Sequence, residues 1–300
     1  MRLYPTVYHP AAVAFPLPRR YHGEKIRRGT SKMCGIAGIV APGAVAAREQ
    51  TLFAMLEQIK HRGPDDRRVR SEGNLSFGGN RLAIIDLKDG YQPFESQNRR
   101  AVVFYNGEIY NHKELRLELQ DNCDFRSLSD GEVIAHGFEK WGKSIFSRLN
   151  GDFAAAVYDN DRNQLILARD RFGIKPLYYA QTAEGFMFCS EIKGLLAADP
   201  CIRLRSAAIA EYLSMQFPLT PETFFEGVLS VLPGHFLTVD CSTGAFRLER
   251  YWHPPVRETL KMSPGVAQDR FRELLSDSVQ LRLQSDVPVG AFLSGGLDST

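Results

Sequence analysis

Three hundred residues, 44% hydrophobic and 24% charged, make an ordinary globular composition, long enough for one large domain plus a second or partial one. The formal charge of +2 hides an asymmetry: residues 1–32 carry seven Lys/Arg against the single acid Glu24, leaving 30 basic and 34 acidic residues in the remainder and no electrostatic reason to expect a nucleic-acid partner. Five widely spaced cysteines (Cys34, Cys123, Cys189, Cys201, Cys241) without a CxxC pair argue against a disulfide framework or a zinc site and suit a reducing cytoplasm, and no apolar run approaches the ~18–20 residues that span a bilayer.

In chain order, the leader's best apolar stretch, AAVAFPLP, is short and twice broken by proline, a poor signal-peptide core. IAGIV (36–40) reads as a buried strand, and residues 47–60 as a helix with Leu52, Met55, Leu56 and Ile59 at helical spacing. HRGPDD (61–66) is a turn, and RLAIID (81–86) and AVVFYN (101–106) read as strands. Residues 111–120 read as a helix whose Asn111 and Glu114 suit a capping box. A second helix follows at 130–141, capped by Ser129 or Asp130. FAAAVYD (153–159) and QLILARD (164–170) form a hairpin across NDRN. Further strands follow at 177–180, 186–190 and 235–240, the last pairing with 245–251. Strands outnumber clustered helices, which predicts an α+β class of packed antiparallel sheets flanked by helices. Residues 254–265 are the best linker, Ser263-Pro264 starts another helix, and VPVGAFL (287–293) reads as a buried strand running into SGGLDST.

Two stretches carry chemistry. Glycines behind a buried strand, as in SGGLDST (294–300), can turn backbone N–H groups towards phosphate oxygens, and its hydroxyls and Asp298 suit pyrophosphate with magnesium; a plain polar turn is the blander alternative. Cys34 stands directly behind Met33. If translation starts there and the methionine is removed, Cys34 carries a free α-amine. With a pKa of about 7.7–8.0 against about 8.5 for a thiol, that amine can accept the thiol proton near neutrality. Nucleophile and base then sit on one residue.

MCGIAGIV, HRGPDD, GNRLAIIDL, YNGEIYN, SDGEVIAHGFEKWG, LNGDFAAAVYD, ARDRFGIKPLYY, SEIKGLL, LPGH and SDVPVGAFLSGGLDST together resemble, in order and from 33 to 300, the glutamine-hydrolysing asparagine synthetases, whose amino-terminal part is a class II glutamine amidotransferase. The resemblance implies an N-terminal-nucleophile sandwich of two antiparallel sheets at 33–253, the linker 254–265, and at 266–300 the first helix and strand of a pyrophosphate-loop ATPase domain. Residues 1–32 become a leader absent from the mature protein. It further implies that Cys34 attacks the side-chain amide of glutamine, and that Asn106 and the Gly107 N–H form the oxyanion hole. Arg81 grips the glutamine α-carboxylate, and Glu108 and Asp130 sit near its α-amino group. Ser294, Gly295, Gly296, Leu297, Asp298 and Ser299 belong to the ATP loop. The full-length enzyme would use ATP and Mg2+ to amidate aspartate or a related carboxylate, in the cytoplasm, with a homodimer as one assembly the resemblance allows. Glutamine hydrolysis itself would need no cofactor and no protein-bound metal, and neither nucleic acid nor membrane is a partner.

Taken singly, several of these residues have plainer explanations. Arg81 could be a surface charge, Asn106-Gly107 a hairpin turn and Asp130 a helix cap. Gly131 departs from the threonine or serine usual in the family, which predicts a looser local pocket. The competing function is an inactive remnant or binding module, which holds if the leader stays attached and Cys34 keeps an amide nitrogen in place of its amine.

Overall fold

The computed structural model describes residues 33–121, 123–218, 221–256 and 261–290; the leader 1–32 and the ATP loop 294–300 lie outside these. Strand β1 (Gly35–Val40) is buried on both faces. Ile36 and Val40 join a cluster with Phe77, Phe104, Ala156, Leu167 and Phe188, while Ala37 and Ile39 join another with Leu52, Met55 and Leu56. A strand that meets a sheet on one side and a helix on the other has no polar face, and its sequence reads as an unbroken apolar run.

The remaining elements follow in chain order. They are α1 (Val45–Gln58), β2 (Asp66–Glu72), β3 (Leu75–Arg81), β4 (Phe94–Glu95), β5 (Ala101–Ile109), α2 (His112–Leu119), α3 (Glu132–Trp141), α4 (Ile145–Arg148), β6 (Gly151–Asp159) and β7 (Gln164–Arg169). After them come β8 (Tyr178–Thr182), β9 (Gly185–Cys189), α5 (Ile192–Ala198), α6 (Ser206–Met215), β10 (Val228–Ser230), β11 (His235–Asp240), β12 (Phe246–Arg250) and α7 (Pro264–Leu281). One sheet runs β10-β8-β9-β1-β3-β2 and the other β12-β11-β7-β6-β5-β4, with every pairing antiparallel. Between them lies the cluster containing Phe77, Phe104 and Phe188. Helices α1 and α5 cover the outer face of the first sheet, and α2, α3 and α4 that of the second, through Leu115, Val133, Phe138 and Phe146 against Tyr105, Phe153 and Ile166. The expected α+β sandwich of two antiparallel sheets flanked by helices is the observed one.

Several local expectations are corrected. RLAIID is not a strand beyond Arg81: β3 ends there, and residues 82–86 leave the sheet because side chains engage their backbone. Leu82 N–H points at the Cys34 sulfur, Ala83 N–H donates to Asp65 Oδ2, and the Ile85 and Asp86 carbonyls receive the Arg81 guanidinium. The capping box at Asn111 does not form. Its amide donates to Arg148 O and accepts from Asn150 N, tying α2 to the turn before β6. Neither Ser129 nor Asp130 caps α3, which starts behind Gly131 without a side-chain cap. Ser263 does cap α7, accepting from Val266 N–H with Pro264 in the first turn. Residues 287–290 are not a strand and have no neighbouring strand among the described residues to pair with; 291–293 lie outside them. On α7, Phe271, Leu274, Leu275 and Val279 are all more than half exposed.

One close approach tests the sandwich core. A Cβ on Gly38 would lie 2.3 Å from the Phe188 ring and 2.7 Å from Phe77 Cβ. Gly38→Ala is therefore expected to cost about 1–3 kcal/mol by overpacking, measured as a lower urea midpoint with an unchanged slope.

Candidate active site

Cys34 immediately precedes β1, and its carbonyl is held from two sides. Arg62 Nε donates to it at 2.9 Å. With the Asn106 amide oriented to satisfy both of its neighbours, Nδ2 donates to the same oxygen at 2.9 Å while Oδ1 accepts from Arg62 Nη2 at 3.2 Å. Arg62 is buried and also pairs with Glu191 at 2.9 Å, which in turn meets His61 and Lys193. Two residues on, Ile36 N–H donates to Ser190 Oγ and Ile36 O accepts from Ser190 N–H. The peptide bearing the thiol is thus fixed before any substrate arrives.

The thiol faces a cavity of about 90 Å³ lined by Cys34, Arg81, Asn106, Gly107, Glu108 and Asp130, with Met33, Gln92, Tyr105, Ser129 and Lys175 among the other walls. That exceeds several-fold the ~10–15 Å³ that admits one water. All six residues picked from the sequence for glutamine chemistry therefore meet in one place. The six of the ATP loop, Ser294, Gly295, Gly296, Leu297, Asp298 and Ser299, lie outside the described residues. Among the described residues no group of His, Cys, Asp and Glu is placed to hold a metal ion, and no helix is long and apolar enough to cross a membrane.

Burial pushes the Cys34 thiol above its usual range, against the Leu82 N–H and the Arg81 and Arg62 charges, and so disfavours the thiolate. Arg81 is buried, and its Nη2 donates to Asp86 O at 2.6 Å. It is not a surface charge. Asn106 and Gly107 lie inside β5 rather than in a hairpin turn. A Cβ on Gly107 would fall 2.3 Å from Asp152 O and 2.7 Å from Phe153 Cα, so only glycine lets β5 and β6 approach here. Asp130 is buried and accepts from Tyr105 OH at 2.5 Å and Ile109 N–H at 2.6 Å. Burial raises its carboxyl while these two bonds oppose the shift. The looser pocket expected at Gly131 is not there. A Cβ on Gly131 would sit 2.2 Å from the Tyr105 ring and 2.7 Å from Phe94, so aromatic carbon fills that space.

Sequence reasoning missed Arg62, Tyr105, Asp86 and Glu191 as working parts. HRGPDD reads as a turn, but the arginine inside it is buried and needs partners, the one signal that points to its role. Nothing local marks Glu191, 129 residues from Arg62.

Residues 33–252 match the family described as glutamine amidotransferase domain. The chain belongs to the glutamine amidotransferase domain family. Residues 270–300 match a second family, asparagine synthase. Among similar proteins, asparagine synthetase [glutamine-hydrolyzing] 2 and 3 of Bacillus subtilis (strain 168) are each 38% identical over 89% of this chain, which spans 38% and 44% of their lengths. Asparagine synthetase [glutamine-hydrolyzing] 1 of the same organism is 35% identical, with 43% of its length spanned. The chain therefore covers about two fifths of these relatives. The solved glutamine phosphoribosylpyrophosphate amidotransferase of B. subtilis superposes with a TM-score of 0.53 at 19% identity, over 74% of this chain and 50% of that one. A further structure, the allosteric regulatory enzyme of purine biosynthesis, gives 0.54 at 20%, again over 74% and 50%. These two share the fold, a sandwich of two antiparallel sheets, and the family match makes residues 33–252 a glutamine amidotransferase domain.

Glu108 is the titratable outlier of the cavity. Burial, then the Asp130 charge, raise it from 4.5 to about 7, and its Oε1 is buried without a hydrogen-bond partner among the described residues. A carboxyl whose folded value lies above its unfolded one favours the fold fully below pH 4.5 and loses that contribution as pH rises through about 7. Glu108→Gln is therefore expected to flatten the fall in stability across this window. The relative gain at pH 8 should be on the order of 1 kcal/mol after discounting for solvent screening, checked by urea melts at pH 4.5, 6 and 8.

Proposed function

We propose that the amidotransferase domain at 33–253, with Met33 removed so that the mature protein begins at Cys34, hydrolyses glutamine to glutamate and ammonia. The observation that carries this is the convergence of the Cys34 thiol, the Asn106 amide and the Arg81 guanidinium on one cavity that no histidine lines among the described residues. The free α-amine of Cys34 accepts the thiol proton, and the thiolate sulfur attacks the side-chain amide carbon. Asn106 Nδ2 and the Gly107 N–H receive the oxyanion. The leaving nitrogen takes the proton and departs as ammonia. Water then cleaves the thioester, returning the thiol and releasing glutamate. Arg81 holds the substrate α-carboxylate through a guanidinium fork, and Glu108 and Asp130 hold its α-amino group.

Residues 254–265 are then a linker, and 266–300 belong to a synthetase half. In the complete protein the ammonia would amidate aspartate, as the relatives' names suggest, or another carboxylate, in the cytoplasm and as a homodimer. ATP and Mg2+ would serve that half through Ser294–Ser299.

Protein whose first residue is Cys34 should release ammonia from glutamine without ATP. Cys34→Ala should abolish this with the fold intact. Asn106→Ala should lower kcat by about 10²–10³, whereas Arg81→Ala should mainly raise KM, because a clamp used equally in ground and transition states is uniform binding. Mass analysis of active protein decides the amino terminus: activity with Met1–Lys32 retained would defeat the mechanism, and inactivity restored by removing them would support it.

A further inference from the structure

The segment following α7 is bound to the amidotransferase unit at a particular spot. Asp286 N–H donates to Ile84 O at 3.0 Å, and Asp286 Oδ2 accepts from Asp86 N–H at 2.7 Å. Nearby, Gln284 Nε2 donates to Tyr110 O at 3.2 Å, and the Arg282 guanidinium lies 4.7 Å from the Tyr110 ring centroid. The contacted residue, Asp86, is unusual in every direction. Its φ of +50° is the left-handed region that a non-glycine residue occupies only when neighbours hold it there. Its carbonyl receives Arg81 Nη2 at 2.6 Å. Its Oδ1 receives Asp89 N–H at 3.0 Å, and its Oδ2 receives Leu128 N–H at 2.7 Å, two residues before Asp130.

One residue thus connects the guanidinium assigned to the substrate carboxylate with the segment carrying the carboxylate assigned to the substrate amine. Its one backbone donor goes to a side chain 200 positions further along the chain. We infer that Asp286 is a positioning residue for the glutamine site: by accepting the Asp86 N–H it fixes the left-handed turn whose carbonyl aims Arg81. The inference rests on the proposed glutaminase function for its consequence, but not for its geometry. Without the Asp286 carboxylate, Asp86 N–H turns to water and the left-handed turn loses one of the bonds that offset its strain. Arg81 then has a less firmly aimed acceptor, since Asp86 O keeps the Gly90 N–H at 3.1 Å but loses the support on its own N–H. The chemistry at Cys34, held separately by Arg62 and Asn106, is untouched.

The full chain, processed to Cys34, is compared as Asp286, Asp286→Ala and Asp286→Asn. Asparagine keeps an acceptor oxygen in the same place, so it should rescue what alanine loses. For Asp286→Ala the KM for glutamine is expected to rise about fivefold to tenfold with kcat within twofold, and for Asp286→Asn both should stay within about twofold. Hydrogen exchange at the Asp86 amide, which needs no turnover, should speed up in Asp286→Ala and not in Asp286→Asn. Unchanged exchange at Asp86, an unchanged KM in the alanine variant, or equal losses in both variants would each overturn the inference. A parent chain inactive on glutamine would defeat the functional proposal instead, and Asp86 exchange would still decide whether Asp286 holds the turn.

Discussion

The site depends on the Arg62 guanidinium and the Cys34 carbonyl. Cys34 lies just outside the strand, beyond the reach of the sheet ladder, so its orientation comes from the bonds made to its own carbonyl and to the residues beside it. Arg62 and Asn106 share that oxygen, and Arg62 is itself anchored by Glu191. Removing one partner of a buried ion pair costs about 3–5 kcal/mol, chiefly because the other charge is left buried and unpaired. The arrangement joins three parts of the chain: the turn after α1, the middle of β5 and the start of α5.

The sandwich grows outward from the same point. Because β1 is central in its sheet, between β9 and β3, its first residues emerge at a sheet end where β5 of the facing sheet also presents Asn106 and Gly107. The two sheets need not move to assemble the cavity. Packing of Phe77, Phe104 and Phe188 between them sets their spacing, and a site built on strands inherits the precision of the core.

Much of this was legible because two-sided burial writes itself into sequence as apolar runs: β1, β5, β6, β7 and β11 all read correctly. β2 did not, since DRRVRSE is an edge strand whose arginines keep the rim charged. RLAIID misled for the opposite reason, being apolar and β-branched yet committed to side-chain partners that only the folded chain supplies. At the site, the residues that touch the cavity were found through their motifs. Those that hold them were not, because Glu191 and Asp286 act across 129 and 200 residues on groups no local pattern connects to them. Asn111 and Asp130, both read as cap residues, spend their side chains on tertiary bonds instead.

The filled space at Gly131 has a consequence for how such a chain can vary. The Tyr105 ring occupies the volume that a side chain at 131 would need, and its hydroxyl reaches the neighbouring Asp130. Positions 105 and 131 therefore hold a single allotment of volume between them. A larger residue at 131 needs a smaller one at 105 together with a shift of the Phe94 ring, and a small, apolar 105 forfeits a hydrogen bond to Asp130 that the hydroxyl of a serine or threonine at 131 could restore. Drift at either position should be mirrored at the other, with bulk and hydroxyl passing between strand and helix start while the carboxylate beside them stays where it is.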